Sequence, residues 1–249
     1  MKPYLFLHIP KTGGSSVVQC LPSGRCTVED FLKDSKNNND FNNYGYGAKR
    51  HHYTLEQYNR IGYDSFDKFY KFTFVRNPWD RVVSIFHDWK IQNSRKVLHE
   101  NTADGSRFFT QKELREDMFS QFVSKFLMPA LDPNIKTYNP KIVFKDEKSS
   151  AGDFVCTNGH FIPQVKYTHD SSNNQIVDFI GKFETLQEDY DKLNKICDWN
   201  FKFMTLPHAN KSKRSAKDYR KYYEDGSGLA KHLVSELYRE DIETYGYTF

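Results

Sequence analysis

Lys11 stands directly ahead of Thr12-Gly13-Gly14-Ser15-Ser16, and this run follows the apolar segment Tyr4-Leu5-Phe6-Leu7. A turn of this composition at the start of a helix can hold an anion. Glycines let the main chain close on the charge, the first N–H groups of a helix lack intrahelical partners, and the ammonium adds a mobile cation. The lysine precedes the glycine pair, whereas in G-x-x-x-x-G-K-[ST] it follows the glycines, so the run is a different phosphate-type loop. Farther along, Phe69 to Val75 ends in Arg76-Asn77-Pro78-Trp79-Asp80-Arg81-Val82-Val83-Ser84. Arg76 falls at the mouth of a strand, and Arg81 and Ser84 are spaced to share one helical face. Guanidinium forks with a serine hydroxyl suit a terminal phosphate. Between the two segments, Lys49-Arg50-His51-His52-Tyr53-Thr54 offers two imidazoles, the side chain best matched to accepting a proton near neutral pH. Two anion seats and a proton acceptor are the parts of a group-transfer site.

Elements must hold these parts in place. The pattern predicts a first strand over Pro3 to Ile9 and a helix from near Gly14 that ends before Pro22. A short helix is expected over Thr54 to Arg60, with Thr54 and Gln57 as a capping box. A second strand covers Phe69 to Val75. The long helix after it runs from Pro78 to about Ser94, with Asn77 as N-cap, Asp80 in the first turn, and Val82, Ile85, Phe86 and Trp89 as its core stripe. Leu114, Met118, Phe122 and Phe126 stripe a further helix that ends at Leu127. Prolines then punctuate residues 128–160, a stretch read as a variable loop or substrate lid. Val177 to Glu184 reads as a strand leading into an acidic helix capped by Thr185 with Glu188, and Asn200 to Thr205 as a last strand. Leu229, Leu233, Leu237, Tyr238 and Ile242 stripe a C-terminal helix, behind which the aromatic tail packs back. Strands alternating with helices imply an α/β fold with a mostly parallel central sheet between helical layers, in a single domain over residues 1–249.

At 249 residues the chain can bury one sizeable core, and 38% hydrophobic with 16% aromatic residues is a globular composition. The net charge of +4 is too small to point to nucleic acid and suits local basic sites for a polyanionic ligand. Cys20, Cys26, Cys156 and Cys197 show no C-x-x-C pairing and no clustering with histidine, so free thiols in a reducing compartment are expected. No acidic pair suited to Mg²⁺ lies near the first loop, and no metal is expected. No apolar stretch is long enough to cross a bilayer, and no signal-peptide pattern opens the chain. A cytoplasmic setting follows as an expectation.

The loop at Lys11–Ser16 resembles the 5′-phosphosulfate loop of carbohydrate sulfotransferases that use 3′-phosphoadenosine 5′-phosphosulfate. These are the family 2 type, which includes the heparan and chondroitin O-sulfotransferases. The Arg76–Ser84 segment is similar to their 3′-phosphate motif, and Val177–Glu184 to a strand those enzymes carry ahead of an acidic helix. The resemblance implies a P-loop-like three-layer α/β/α fold and sulfuryl transfer to a hydroxyl, most plausibly on a carbohydrate. It places Lys11, Thr12, Gly13, Gly14, Ser15 and Ser16 around the 5′ end and Arg76 and Ser84 on the 3′-phosphate. Lys11 would also neutralise charge on the bridging oxygen. The family's base lies in the interval holding His51 and His52, often as His-x-Thr, which selects His52; His51 is then a second candidate that borders the acceptor. His160-Phe161-Ile162-Pro163-Gln164 resembles a His-aromatic-x-Pro-Gln element beside the acceptor site, with Gln164 the candidate contact. The basic run after Leu206 resembles a stretch that closes over the nucleotide, where Lys211 or Arg214 could reach the 3′-phosphate. His8 reads as strand-end packing and His87 as an exposed helix residue. A protein-tyrosine or small-metabolite sulfotransferase shares the cofactor half of this reading. A glycan-binding module on the same scaffold, without turnover, is the non-enzymatic alternative, and a nucleotide kinase is disfavoured by the lysine's position. Oligomeric state is not readable from the sequence.

Overall fold

The computed structural model describes residues 4–21, 52, 54–56, 66–94, 119–127, 160–197, 205–207, 214 and 216–249. The rest of the expected Thr54–Arg60 helix after Glu56, the expected strand Asn200–Thr205 up to residue 204, and residues 128–159 lie outside them, as do His51, Lys211, Cys26 and Cys156. Two compact units divide the chain: Met1–Arg76 with Pro163–Lys211, and Asn77–Ile162 with Ser212–Phe249.

The first unit is α/β. Strands β1 (Tyr4–Phe6), β2 (Tyr70–Val75) and β3 (Phe179–Lys182) form a parallel sheet in the order β1-β2-β3. Parallel strands are covered on both faces and therefore read as continuous apolar runs; Phe72, Thr73, Phe74 and Val75 of β2 are all buried. Alternation sends Tyr4, Phe6, Phe72 and Phe74 to one face. There they pack with Val17 and Cys20 of α1 (Gly14–Cys20) and with Tyr190 and Leu193 of α5 (Leu186–Cys197). Leu5 and Leu7 go to the other face, against Leu55, Phe66, Phe69 and Val177. The sheet is thus enclosed on both sides, as the sequence predicts for an α/β/α arrangement.

β1 is shorter than the expected Pro3–Ile9. The Leu7 N–H still bonds the Phe72 carbonyl at 2.9 Å, but the Ile9 N–H turns back to Leu7 at 3.1 Å, so the chain is already entering the loop. The Thr73 hydroxyl fastens that exit by donating to the Leu7 carbonyl at 2.6 Å. β3 also begins two residues late. Asp178 lies outside it, yet closes the ladder by bonding Lys71 through both its own N–H, at 2.7 Å, and its carboxylate, at 2.6 Å.

The turn from β3 into α5 differs from the expected Thr185–Glu188 capping box. Residues Phe183–Thr185 form a 3₁₀ turn, and the Thr185 hydroxyl donates to the buried Asp189 carboxylate at 2.8 Å. The same carboxylate accepts the Lys182 N–H at 2.8 Å and the Lys192 ammonium at 2.7 Å. Burial would raise the Asp189 carboxyl, but these bonds outweigh it and hold the group below its ordinary value. A carboxyl depressed in the folded state contributes stability above its unfolded pKa and loses it as pH falls through the folded one. Asp189→Asn should therefore cost about 1–3 kcal/mol at neutral pH. Denaturant melts should show the gap from wild type closing in acid, below the ordinary carboxylate range, and not between pH 6 and about 8.

The second unit is helical. Asn77 caps α2 (Pro78–Ser94) as expected, its Oδ1 accepting the Trp79 N–H at 3.1 Å and the Asp80 N–H at 3.4 Å. Its Nδ2 meanwhile donates to Thr248 O and Tyr219 Oη, at 3.0 and 3.2 Å. The core stripe of α2 is wider than periodicity suggests: Arg81, Ser84 and His87 are buried together with Val82, Val83, Ile85 and Phe86. Phe86 meets Phe119 and Phe122 of α3 (Phe119–Leu127) edge to face. The C-terminal helix is interrupted at Tyr238, giving α6 (Leu229–Leu237) and α7 (Arg239–Tyr245). The Tyr238 hydroxyl is drawn away to the Phe161 carbonyl at 3.0 Å, and Leu229, expected in the buried stripe, is exposed. The tail packs back as expected, with Phe249 edge-on to Trp79, Tyr219 and Tyr223. Among the described residues no helix is long and apolar enough to cross a membrane.

Candidate active site

The loop between β1 and α1 is built around two left-handed residues, Lys11 at φ 69° and Gly13 at φ 87°. Thr12 is buried, and its hydroxyl donates to the Ile9 carbonyl at 2.9 Å, so this side chain closes the loop from within. A Cβ on Gly14 would lie 2.2 Å from the His8 ring, and one on Gly13 would lie 2.8 Å from Leu186. A side chain at either position would have to push these neighbours aside, and at Gly13 it would also be strained by the positive φ, so the mouth of α1 presents bare main chain. Ser16 and Val17 N–H groups both return to the Gly13 carbonyl. The donors left for a ligand by the general rule of helix starts are those of Gly14 and Ser15.

Arg76, at the end of β2, reaches this loop. Its Nη1 donates to the Lys11 carbonyl at 3.0 Å, and its guanidinium lies over the Phe183 ring, 3.9 Å from the centroid. The stacking and the hydrogen bond together fix a planar cation against the cradle. The main chain of Arg76 is gripped by Gln164, whose Oε1 accepts the Arg76 N–H and whose Nε2 donates to the Arg76 carbonyl, both at 2.8 Å. Gln164 is fully buried. Its amide is engaged with the strand end rather than presented to an acceptor.

His52 is buried beside the same loop. Its Nδ1 lies 2.9 Å from the His8 carbonyl, and the two imidazoles meet edge to face with centroids 4.7 Å apart. A carbonyl can only accept, so Nδ1 carries a proton, and in the neutral imidazole the lone pair is then on Nε2. That tautomer is the one a base needs. The His52 carbonyl in turn accepts the hydroxyl of the buried Tyr167 at 2.8 Å.

The Sulfotransferase family model matches residues 2–248. The chain belongs to the sulfotransferase family. No curated protein and no solved structure matches it. Membership fixes the reaction class of the enzyme as sulfuryl transfer to a hydroxyl-bearing acceptor.

The sulfotransferase thus gathers Lys11, Thr12, Gly13, Gly14, Ser15, Ser16, His52, Arg76 and Gln164 in its α/β unit, while Ser84 and Arg214 belong to the helical unit. Ser84 is buried on α2. Arg81, one helical turn earlier, is committed elsewhere: its Nη1 donates to Ile162 O at 3.0 Å and its Nη2 to His160 O at 2.9 Å. The arginine that shares a helical face with Ser84 is thus a buried tie to the 160–162 segment. Arg214, read as a phosphate contact, pairs with Asp80 at 2.5 Å, which also gives Asp80 a cation that the sequence did not reveal. His87 is not exposed; it is buried, with Nε2 2.7 Å from the Tyr222 hydroxyl. Among the described residues no group of His, Cys, Asp or Glu side chains could hold a metal ion.

Phe183 and Tyr167 are the site residues that sequence reasoning missed. Phe183 was placed at the end of a strand, with nothing to mark it as the floor under an arginine. Tyr167 did leave a signal, since it lies three residues after Gln164 in a helical stretch and so on the same face.

Proposed function

We propose that the enzyme transfers the sulfuryl group of 3′-phosphoadenosine 5′-phosphosulfate to a carbohydrate hydroxyl, with His52 as general base. The observation that carries this reading is the meeting of Lys11 and Arg76 at one loop whose two closely packed glycines leave the main chain bare. Bare main-chain donors in a loop that carries a lysine and is touched by a stacked guanidinium fit a nucleotide with anionic groups at both ends.

When bound, the cofactor supplies a sulfuryl group whose bond to the bridging phosphate oxygen breaks as the acceptor oxygen attaches. Lys11 holds its ammonium toward charge on the departing oxygen. The N–H groups of Gly14 and Ser15 hold the 5′ end. By the family resemblance Arg76, Ser84, Lys211 and Arg214 are each candidates for contact with the 3′-phosphate. His52 takes the proton of the acceptor hydroxyl on Nε2, while Nδ1–H remains on the His8 carbonyl.

Incubation of the enzyme with radiolabelled cofactor and a panel of acceptors tests the substrate class. Label is expected on desulfated glycans. Label only on tyrosine peptides or small phenols would replace the carbohydrate with the corresponding acceptor, and tight glycan binding without any transfer would make the protein a binding module.

A further inference from the structure

We infer that Gln164 and Tyr167 form a bracket that sets where Arg76 and His52 stand relative to one another. The inference rests on the assignment of those two residues to cofactor and acceptor. Both bracket residues belong to one short stretch, Gln164 with the single-turn helix α4 (Val165–Thr168), and both are completely buried. Three residues apart, they lie on the same face of that turn. Gln164 uses both ends of its amide on the main chain of Arg76, acting as one more strand rung at the point where β2 ends. Tyr167 uses its hydroxyl on the main-chain carbonyl of His52.

In these bonds both Arg76 and His52 are held at the main chain from a distant part of the sequence. They are 24 positions apart in sequence (76 − 52), and the stretch that joins them is more than 80 positions farther on. One buried turn suffices to reach both, because its two side chains lie on the same face. The remainder of the turn is also tied down, for the Thr168 hydroxyl lies 3.3 Å from the Val165 carbonyl and the Ile176 N–H bonds Thr168 O at 2.8 Å. The bracket therefore resists bending from both ends. Positioning of this kind matters because displacement of a catalytic group by about 1 Å can cost on the order of 10²-fold in rate.

Each arm has its own readout in the full-length enzyme. For Gln164, adenosine 3′,5′-bisphosphate is titrated calorimetrically into wild type, Gln164→Met, Arg76→Ala and the double variant. Met keeps the volume and removes both hydrogen bonds. Gln164→Met should weaken binding by about 10-fold in the wild-type background and add nothing once Arg76 is gone, since residues acting through one another are not additive. If Gln164→Met does not fold, Gln164→Glu carries the same cycle, keeping an acceptor for the Arg76 N–H and losing the donor. For Tyr167, removal of one hydroxyl in Tyr167→Phe should leave that affinity unchanged. It should shift the His52 ring nitrogens in histidine-labelled NMR spectra, the His52 signals being those absent from His52→Ala. An additive Gln164 effect, no Gln164 effect, or unmoved His52 nitrogens would overturn the bracket while leaving the cofactor assignment intact. Undiminished affinity in Arg76→Ala would instead overturn the cofactor role of Arg76 and the bracket with it.

Discussion

His52→Ala is expected to lower the rate of sulfuryl transfer by about 10²–10⁴-fold, the usual worth of a positioned general base. Affinity for adenosine 3′,5′-bisphosphate should stay within about twofold of wild type, because the imidazole serves the acceptor and not the nucleotide. The expectation follows from the ring's tautomer. Donation from Nδ1 to the His8 carbonyl at 2.9 Å places the lone pair of the neutral ring on Nε2, the tautomer a base uses. The contact is made to a main-chain atom, which does not change its own protonation, and the edge-on His8 ring limits rotation. Single-turnover transfer from radiolabelled cofactor, measured beside calorimetry on the same variant, separates the two effects. A His52→Ala enzyme that transfers at the wild-type rate would remove His52 from the mechanism and turn attention to His51.

Lys11 carries the second large effect, and here catalysis and stability pull in opposite directions. Lys11→Ala and Lys11→Gly should each lose about 10²–10³-fold in transfer rate, as expected when a charge aimed at a developing anion is removed. Their stabilities should differ. Lys11 sits at φ 69°, where an L-residue pays roughly 1–2 kcal/mol for crowding between Cβ and the main chain. Alanine keeps that cost and glycine relieves it, so Lys11→Gly should exceed Lys11→Ala in stability by about 1 kcal/mol. Paired denaturant melts of the two variants check this. Equal stabilities would mean that the loop relaxes out of the left-handed region when the lysine is removed.

The elements nearest the chemistry could be read from the sequence because local signals there agree with one another. Strand β2 is rich in aromatic and β-branched residues, Asn77 and Pro78 open α2 as they open helices generally, and the glycine pair marks the turn at α1. Partnership between distant residues was not readable. Arg81 looks like a candidate for an anion until its partners, the carbonyls of His160 and Ile162, are known, and the pairing of Arg214 with Asp80 was equally hidden in the sequence. His87 looked exposed because helical periodicity assumes one wet face, and α2 is buried all round from Arg81 to His87. Gln164 drew notice for the right reason, as a polar residue in a motif, but its contact is with Arg76 across 88 positions of sequence. The Thr185–Glu188 capping box rests on spacing alone, and only the fold shows that the Thr185 hydroxyl donates to the Asp189 carboxylate instead.

Calorimetric titration of adenosine 3′,5′-bisphosphate into wild type, Lys11→Ala, Arg76→Ala and the double variant addresses the central claim, that one loop and one strand-end arginine hold a doubly anionic nucleotide. Saturable binding by wild type, weakened in each single variant and abolished in the double, is the predicted result. No heat of binding in wild type, or full affinity after both cations are removed, would contradict it.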